Sequence, residues 1–466
     1  MSCSLQANDV SYGYPQHGYG LRPISLDVGP GDAVHIAGPS GSGKSTLARC
    51  LSGLIPHLYR GQLTGEVQVD GLATCSTPLW QLAERTGLVF QNPAVQLLTV
   101  RTEEEIVFGL ENLGLPPAAI KQGVEDALRT FGLEALRHRS PQRLSGGEQQ
   151  KLVLSAITAR QPHVLILDEP LSMLDSTAAT QLVADLAGLA QSGTTVVVCE
   201  HRAEFLQAIP NLRTVYLNGS ASAPLEPSLA TETGAFDVPP FELLASGVSV
   251  ALGGHPVLQD ISLTAEGGQV VAIVGRNGVG KTTLLRALAG LQGHTGEIQI
   301  DGQPPELAMV FQNPDLQLFN ASVRDEVLYR LEKPDIDRYE WLMEILGLSR
   351  YEETPPLLLS EGEKKRLAVA TTLMRAPRHG ILLDEPSLGQ DAGHKETLMR
   401  LAHALADAGQ LVMITTHDLT LAASADRLLI MGESGFVADG PPHDVLRDKR
   451  AWDQVGLLIP DWMATN

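Results

Sequence analysis

Two stretches decide the reading of this chain: GPSGSGKST at Gly38–Thr46 and GRNGVGKTT at Gly275–Thr283. Each follows an apolar run, AVHIAG or VVAIVG, and leads into a helical pattern. That is the strand, loop, helix order of folds that wrap a glycine loop around phosphate. Glycine tolerates the dihedrals that aim successive N–H groups inward, and the next helix adds its positive N-terminus. The candidate phosphate-binding residues of the first copy are Gly38, Pro39, Ser40, Gly41, Ser42, Gly43, Lys44, Ser45 and Thr46. Those of the second are Gly275, Arg276, Asn277, Gly278, Val279, Gly280, Lys281, Thr282 and Thr283. The lysines suit the outer phosphates, and the hydroxyls of Ser45 and Thr282 suit Mg²⁺, a hard cation that prefers oxygen.

The rest of the chain repeats in step. Lys281 lies 237 residues after Lys44, and four further pairs follow in the same order. Gln91 and Gln312 of VFQNP are 221 apart, Ser145 and Ser360 of LSxGE 215, Asp168 and Asp384 of LDEP 216, and His201 and His417 again 216. Self-similarity at so steady an offset marks a duplicated unit. The drop from 237 to 221 makes the second copy shorter between its phosphate loop and VFQNP. Residues 219–240 are rich in Pro, Ser, Ala and Gly without an apolar period and read as a linker between domains at 1–218 and 241–466. Each half is expected to be an α/β domain.

Bulk properties agree. A chain of 466 residues exceeds one ordinary core, and 43% hydrophobic against 19% charged residues describes a globular interior. No apolar run approaches the roughly 20 residues a membrane-spanning helix needs. The N-terminus lacks the basic and apolar regions of a secretory signal, so a cytosolic location is expected. A net charge of −20 with no cluster of basic residues argues against nucleic acid as a partner.

The acidic pairs carry the chemistry. A buried strand ending in LDEP delivers Asp168 or Asp384 to a Mg²⁺ shell, and Glu169 or Glu385 can then polarise an attacking water. His201 and His417, at the ends of β-rich runs, suit a γ-phosphate and the alignment of that carboxylate. Gln91 and Gln312 stand in a loop from which an amide can reach Mg²⁺ or water, although FQNP alone is only a turn signal. Ser145 and Ser360 read first as helix caps, with Glu148 and Glu363 completing capping boxes. The same helix start, through Ser145, Gly146, Gly147 or Ser360 and Gly362, is also an anion site.

In this order and spacing the motifs resemble the ATP-binding-cassette superfamily along nearly the whole chain. The resemblance implies two tandem P-loop ATPase domains, each with a RecA-like core and a helical signature subdomain, that bind ATP and Mg²⁺. It also implies a head-to-tail sandwich. Site one would combine Lys44, Asp168, Glu169 and His201 with Ser360 and Gly362; site two would combine Lys281, Asp384, Glu385 and His417 with Ser145 and Gly147. The family's D-loop maps onto Ser172, Met173, Leu174 and Asp175, and less closely onto Ser387 through Asp391. Tyr14 falls where an aromatic stacks on adenine, and Leu252 takes that position in the second copy. Glu361 replaces the first glycine of the signature. Two competent sites of unequal affinity and rate are expected.

A narrower similarity lies in FQNPAVQLLTVRTEEEIVFGL and FQNPDLQLFNASVRDEVLYRL, which resemble the ATPases of energy-coupling-factor importers for vitamins and transition metals. That resemblance implies a transmembrane scaffold subunit and a substrate-binding membrane subunit as partners, met at the cytoplasmic face of the membrane. Arginines of the scaffold would meet Glu103, Glu104, Glu105, Asp325 and Glu326, which read equally as a solvated acidic helix start. Alternatives in view are the fused ATPase of a sugar importer and a soluble, ribosome-associated tandem cassette protein.

Overall fold

The computed structural model describes residues 4–15, 18–39, 41–172, 174–201, 203–217, 238–387, 390 and 392–457. The chain forms two compact units, Met1–Ala221 and Ser222–Asn466. Most of the expected linker, with Ser40, Met173 and residues 388, 389 and 391, lies outside the described residues. At Val238 the chain is already part of the second unit, where its N–H donates to the Ala408 carbonyl at 2.9 Å.

The first unit is built on a parallel sheet in the order Thr86–Val89, Val164–Asp168, Thr195–Cys199, Ala33–Ala37, Arg213–Tyr216. Helices cover both faces, so VLILD and TVVVC are buried at every residue and read as continuous rather than alternating apolar runs. A separate antiparallel sheet carries Leu5–Tyr14 between Gly18–Val28 and Gln62–Val69. One apolar cluster joins this sheet to the phosphate-loop helix Lys44–Leu51. Another gathers Thr102–Glu111, Pro117–Thr130 and Gly146–Thr158 against the other side of the parallel sheet. These three helices are the helical subdomain.

The second unit repeats the plan. Its parallel strands run in the order Leu307–Val310, Gly380–Asp384, Leu411–Thr415, Val270–Gly275, Arg427–Gly432, with Gly435–Gly440 added antiparallel at the edge. Its helical layer, Val323–Leu328, Ile336–Ile345 and Glu361–Leu373, packs around Leu342, Val327 and Leu367. The missing residues are now located. In the first unit, the helix Leu79–Arg85 and the short strand Leu72–Ala73 stand between Asp70 and the strand that leads to Gln91. In the second, only a short loop joins Thr295–Ile300 to Leu307–Val310.

Candidate functional site: two phosphate-loop centres

In both units the phosphate loop can be built only with glycine at its last position. Gly43 has φ 99° and Gly280 φ 110°, in the left-handed region that costs other residues energy. A Cβ on Gly43 would lie 2.6 Å from the backbone oxygen of Gly20, and one on Gly280 would lie 2.6 Å from Leu258 Cδ2. The turn leaves Lys44 and Lys281 as the first residues of their helices, both buried. Lys44 Nζ donates to the Gly38 and Pro39 carbonyls at 2.9 and 3.0 Å; Lys281 Nζ donates to those of Gly275 and Arg276 at 2.7 and 3.2 Å. Each ammonium is thus held inside the loop it serves.

One helical turn is enough to bring the hydroxyls to the carboxylates. Ser45 Oγ donates to Asp168 Oδ1 at 3.0 Å, and Thr282 Oγ1 reaches both Asp384 oxygens at 3.0 and 2.8 Å. Burial, and then the neighbouring Glu169, push the Asp168 carboxyl up to about 6. Burial likewise raises Asp384 and Glu385. Adjacent acids desolvated at a strand end favour a nearby cation. A hydroxyl and a carboxylate 3 Å apart are the oxygen pair that Mg²⁺ uses when it shares phosphates with a protein. The residues therefore fit the ion.

Glu169 and Glu385 directly follow these aspartates with φ 49° and 50°. Left-handed backbone is uncommon for glutamate and concentrates at functional turns. Each glutamate N–H donates to a neighbouring strand, to the Cys199 carbonyl at 2.8 Å and to that of Thr415 at 3.1 Å. The bent backbone brings the histidines within reach: His201 Nε2 stands 3.3 Å from Glu169 Oε1, and His417 Nε2 stands 3.2 Å from Glu385 Oε1. In the first unit Gln91 Nε2 also donates to Glu169 Oε2 at 2.7 Å. Among the described residues no such bond joins Gln312 to Glu385. In the second unit His417 Nε2 is 3.4 Å from Lys281 Nζ. The two centres share a residue set and differ in wiring.

Other expectations resolve locally. Both capping boxes form: Ser145 N–H donates to Glu148 Oε2 at 2.7 Å, and Ser360 N–H to Glu363 Oε2 at 2.8 Å. Tyr14 leans over the phosphate-loop helix, its hydroxyl 3.3 Å from Thr46 Oγ1 and accepting from Arg49 Nη1 at 3.2 Å, with its ring edge-on to Tyr12. Strand pairing puts Leu252 at the equivalent place: Val10, Tyr12 and Tyr14 face Ile24, Leu21 and Gly18 in one hairpin, as Val248, Val250 and Leu252 face Ile261, Leu258 and His255 in the other. Leu252 is exposed. Glu361 stands in the first turn of its helix.

The five acids expected to meet arginines separate into two groups. Glu105 is buried, and its Oε2 accepts from the N–H groups of Leu98 and Thr99 at 3.0 Å each and from the Thr99 hydroxyl. Glu326 is buried, and its Oε2 accepts from the N–H groups of Phe319 and Asn320 at 2.7 Å each. Glu103 is taken up by Arg137 at 2.7 Å and by His138. Asp325 is exposed, and Glu104 is half-buried at the surface with Arg101 Nε 3.8 Å from its Oε1. Helical periodicity explains this outcome: successive side chains point to different faces, and the inward acid needs backbone donors.

A second glutamine in each FQNP stretch, Gln96 or Gln317, has a structural part. Gln96 Oε1 accepts from Phe90 N–H at 2.7 Å while its Nε2 donates to Leu88 O at 2.9 Å; Gln317 does the same with Phe311 and Met309. These amides close the Gln loop, and identical spacing in both halves was the available signal. Glu200 was not legible in the sequence; it is buried and accepts from the N–H groups of His201 and Leu171 at 2.7 and 3.0 Å. Thr416 takes its place in the second unit, so the repeat carried no cue.

Known proteins align with this architecture. The family profile described as "ABC transporter" matches residues 21–172 and 258–388. A Treponema denticola protein named as an ABC transporter ATP-binding protein is 35% identical over 90% of this chain and 93% of its own length. A Bacillus subtilis protein named for HMP/thiamine import is 31% identical over 99% of this chain and 96% of its own. The solved structure of archaeal ribosome recycling factor aABCE1 with its stalk protein superposes with TM-score 0.60 at 21% identity, over 95% of this chain and 92% of that one, a likeness of fold alone. With two phosphate-loop centres of this geometry and matches that span both halves, the chain belongs to the ABC transporter family and is an ATPase with two ATP-binding-cassette domains.

Proposed function

We propose that this ATPase powers an importer of the energy-coupling-factor type, with two ATP sites formed head to tail from the residues of both halves. The observation that supports the importer reading is the surface that follows each Gln loop. Leu98 and Phe319, 71% and 67% exposed, stand at equivalent positions, with Val95 and Leu316 beside them. Large apolar side chains displayed on a loop whose backbone is tied down from below mark a contact surface rather than a relaxed coil. Glu105 and Glu326 do the tying. The buried glutamates thus serve the partner by shaping the loop, and Glu104 and Asp325 are the acids left to meet a scaffold arginine.

At each centre the lysine exchanges its loop carbonyls for phosphate oxygens, and the histidine keeps the glutamate in line with the attacking water. Ser45 with Asp168, and Thr282 with Asp384, would hold Mg²⁺, which would supply charge neutralisation to the transferring phosphoryl group. Tyr14 stacks on the adenine of site one. Replacing it with Ala should weaken ATP binding there about tenfold, as expected for loss of an aromatic stack. Binding of a fluorescent ATP analogue to a Lys281→Ala background checks this. Retention by Tyr14→Phe and loss by Tyr14→Ala is the expected pattern, and equal affinity of all three would remove Tyr14 from the site.

The reading as a whole is tested by recovering the protein from gently solubilised membranes and identifying what comes with it. A multi-span scaffold subunit with a small substrate-binding membrane subunit is the expected company, and the latter names the cargo. Leu98→Asp with Phe319→Asp should reduce that recovery at least about tenfold, the scale of two buried apolar anchors, with ATP binding intact. Recovery of periplasmic-sugar permeases or of ribosomal proteins would overturn the importer class and leave the ATPase.

A further inference from the structure

The two signature segments are tied to their own units in different ways. In the second unit Lys365, only 3% exposed, donates from Nζ to the backbone oxygen of Glu385 at 2.6 Å. Next to it, Arg366 Nη1 donates to Gln390 Oε1 at 3.0 Å, and Gln390 Nε2 donates to the Gly362 carbonyl at 2.9 Å. The signature helix is thus bonded both to Gln390 and to the backbone of Glu385 itself.

The first unit has Gln150, Lys151 and Leu174 at these places. Gln150 is equally buried, at 2% exposed, and its Nε2 has no hydrogen-bond partner among the described residues. Leu174 presents Cδ2 to Gly147, 3.4 Å from where a Cβ would stand. An aliphatic contact slides where a hydrogen bond resists. The neutral Gln150 also shows that this fold closes around the position without a charge. A buried ammonium is costly unless it is bonded, so the cation at Lys365 is not a packing requirement.

We propose that Lys365 and Gln390 form a latch that transmits movement of the second unit's signature segment to Glu385. Hydrolysis at site two then depends on ATP at site one more steeply than the reverse. The inference rests on the head-to-tail pairing proposed above, in which Ser360 and Gly362 cover the phosphates held by Lys44. When Gly362 is drawn to that γ-phosphate, Gln390 and the Glu385 carbonyl are drawn with it. Among the described residues of the first unit, Gln150 makes no such bond to the Glu169 segment. The latch residues touch no substrate and act as positioning residues.

The test uses the full chain. Turnover at site two is measured in Glu169→Gln, then with Lys44→Ala added to empty site one. Turnover at site one is measured in Glu385→Gln, then with Lys281→Ala added. The fall at site two should exceed the fall at site one about fivefold, an ordinary coupling between sites. Lys365→Gln with Gln390→Leu, the residues the first unit uses, should make the two falls equal within about twofold, whereas Lys365→Arg keeps the donor and the inequality. A purely structural role would change melting temperature or both turnovers and leave their ratio alone. Equal falls in the unsubstituted chain, or unequal falls that survive the double substitution, would refute the latch while leaving the pairing in place. No fall at either site would refute the pairing on which the latch rests.

Discussion

Turnover of ATP falls by about 10³-fold when Glu169 and Glu385 both become Gln, the scale of a removed general base, while ATP binding persists. Each glutamate sits on a left-handed turn that places its carboxylate beside a histidine and one residue beyond the aspartate that suits Mg²⁺. The amide is isosteric and keeps the turn, but it cannot accept a proton from water. Rapid-quench measurement of phosphate release against equilibrium nucleotide binding separates the two effects. A double variant that retains turnover within about tenfold of the parent would move the base elsewhere. The single variants should differ from one another. Glu169 Oε2 accepts from the Gln91 amide at 2.7 Å, whereas Glu385 Oε2 accepts from the backbone N–H of His417 at 3.2 Å.

The second large effect concerns the loop lysines. Lys44→Ala and Lys281→Ala should each weaken ATP binding at their own centre by about 10²-fold, the scale of losing a charged donor aimed at phosphate in a closed site. Part of that loss is indirect. Without the ammonium, the carbonyls of Gly38 and Pro39, or of Gly275 and Arg276, turn toward the phosphates unopposed. The Lys281 variant carries an extra consequence, since His417 Nε2 loses a neighbour at 3.4 Å and its alignment with Glu385 loosens. Isothermal titration with a non-hydrolysable ATP analogue reads each site in the background of the other's substitution. Unchanged affinity in both would show that the loop binds through its backbone alone.

The charge of the aspartates follows the same logic. With burial raising Asp168 and Asp384, the carboxylates gain most when a cation arrives.

Much of this was legible in sequence because the chain states it twice. A glycine loop, an apolar strand ending in Asp-Glu, and a histidine after a β-rich run are local signals, set by backbone dihedrals and by period, and duplication at fixed offsets removed chance as their source. The capping boxes are local too, with donor and acceptor three residues apart. Side-chain direction in the acidic run was not legible. Glu103, Glu104 and Glu105 are chemically alike, and only the fold decides that Glu105 turns inward to hold Leu98 and Thr99 while Glu104 stays at the surface.

From sequence alone came the two ATPase domains, the position of each phosphate loop and the Asp-Glu pair that closes each LDEP strand, because each of these depends on residues close in the chain. Tertiary structure alone decided which partner each of those groups meets: Gln91 with Glu169, Lys365 with the Glu385 carbonyl, Gln390 with Gly362. Such contacts join residues some 20 to 80 positions apart, with energies that depend on burial and distance after folding, quantities that no local pattern encodes.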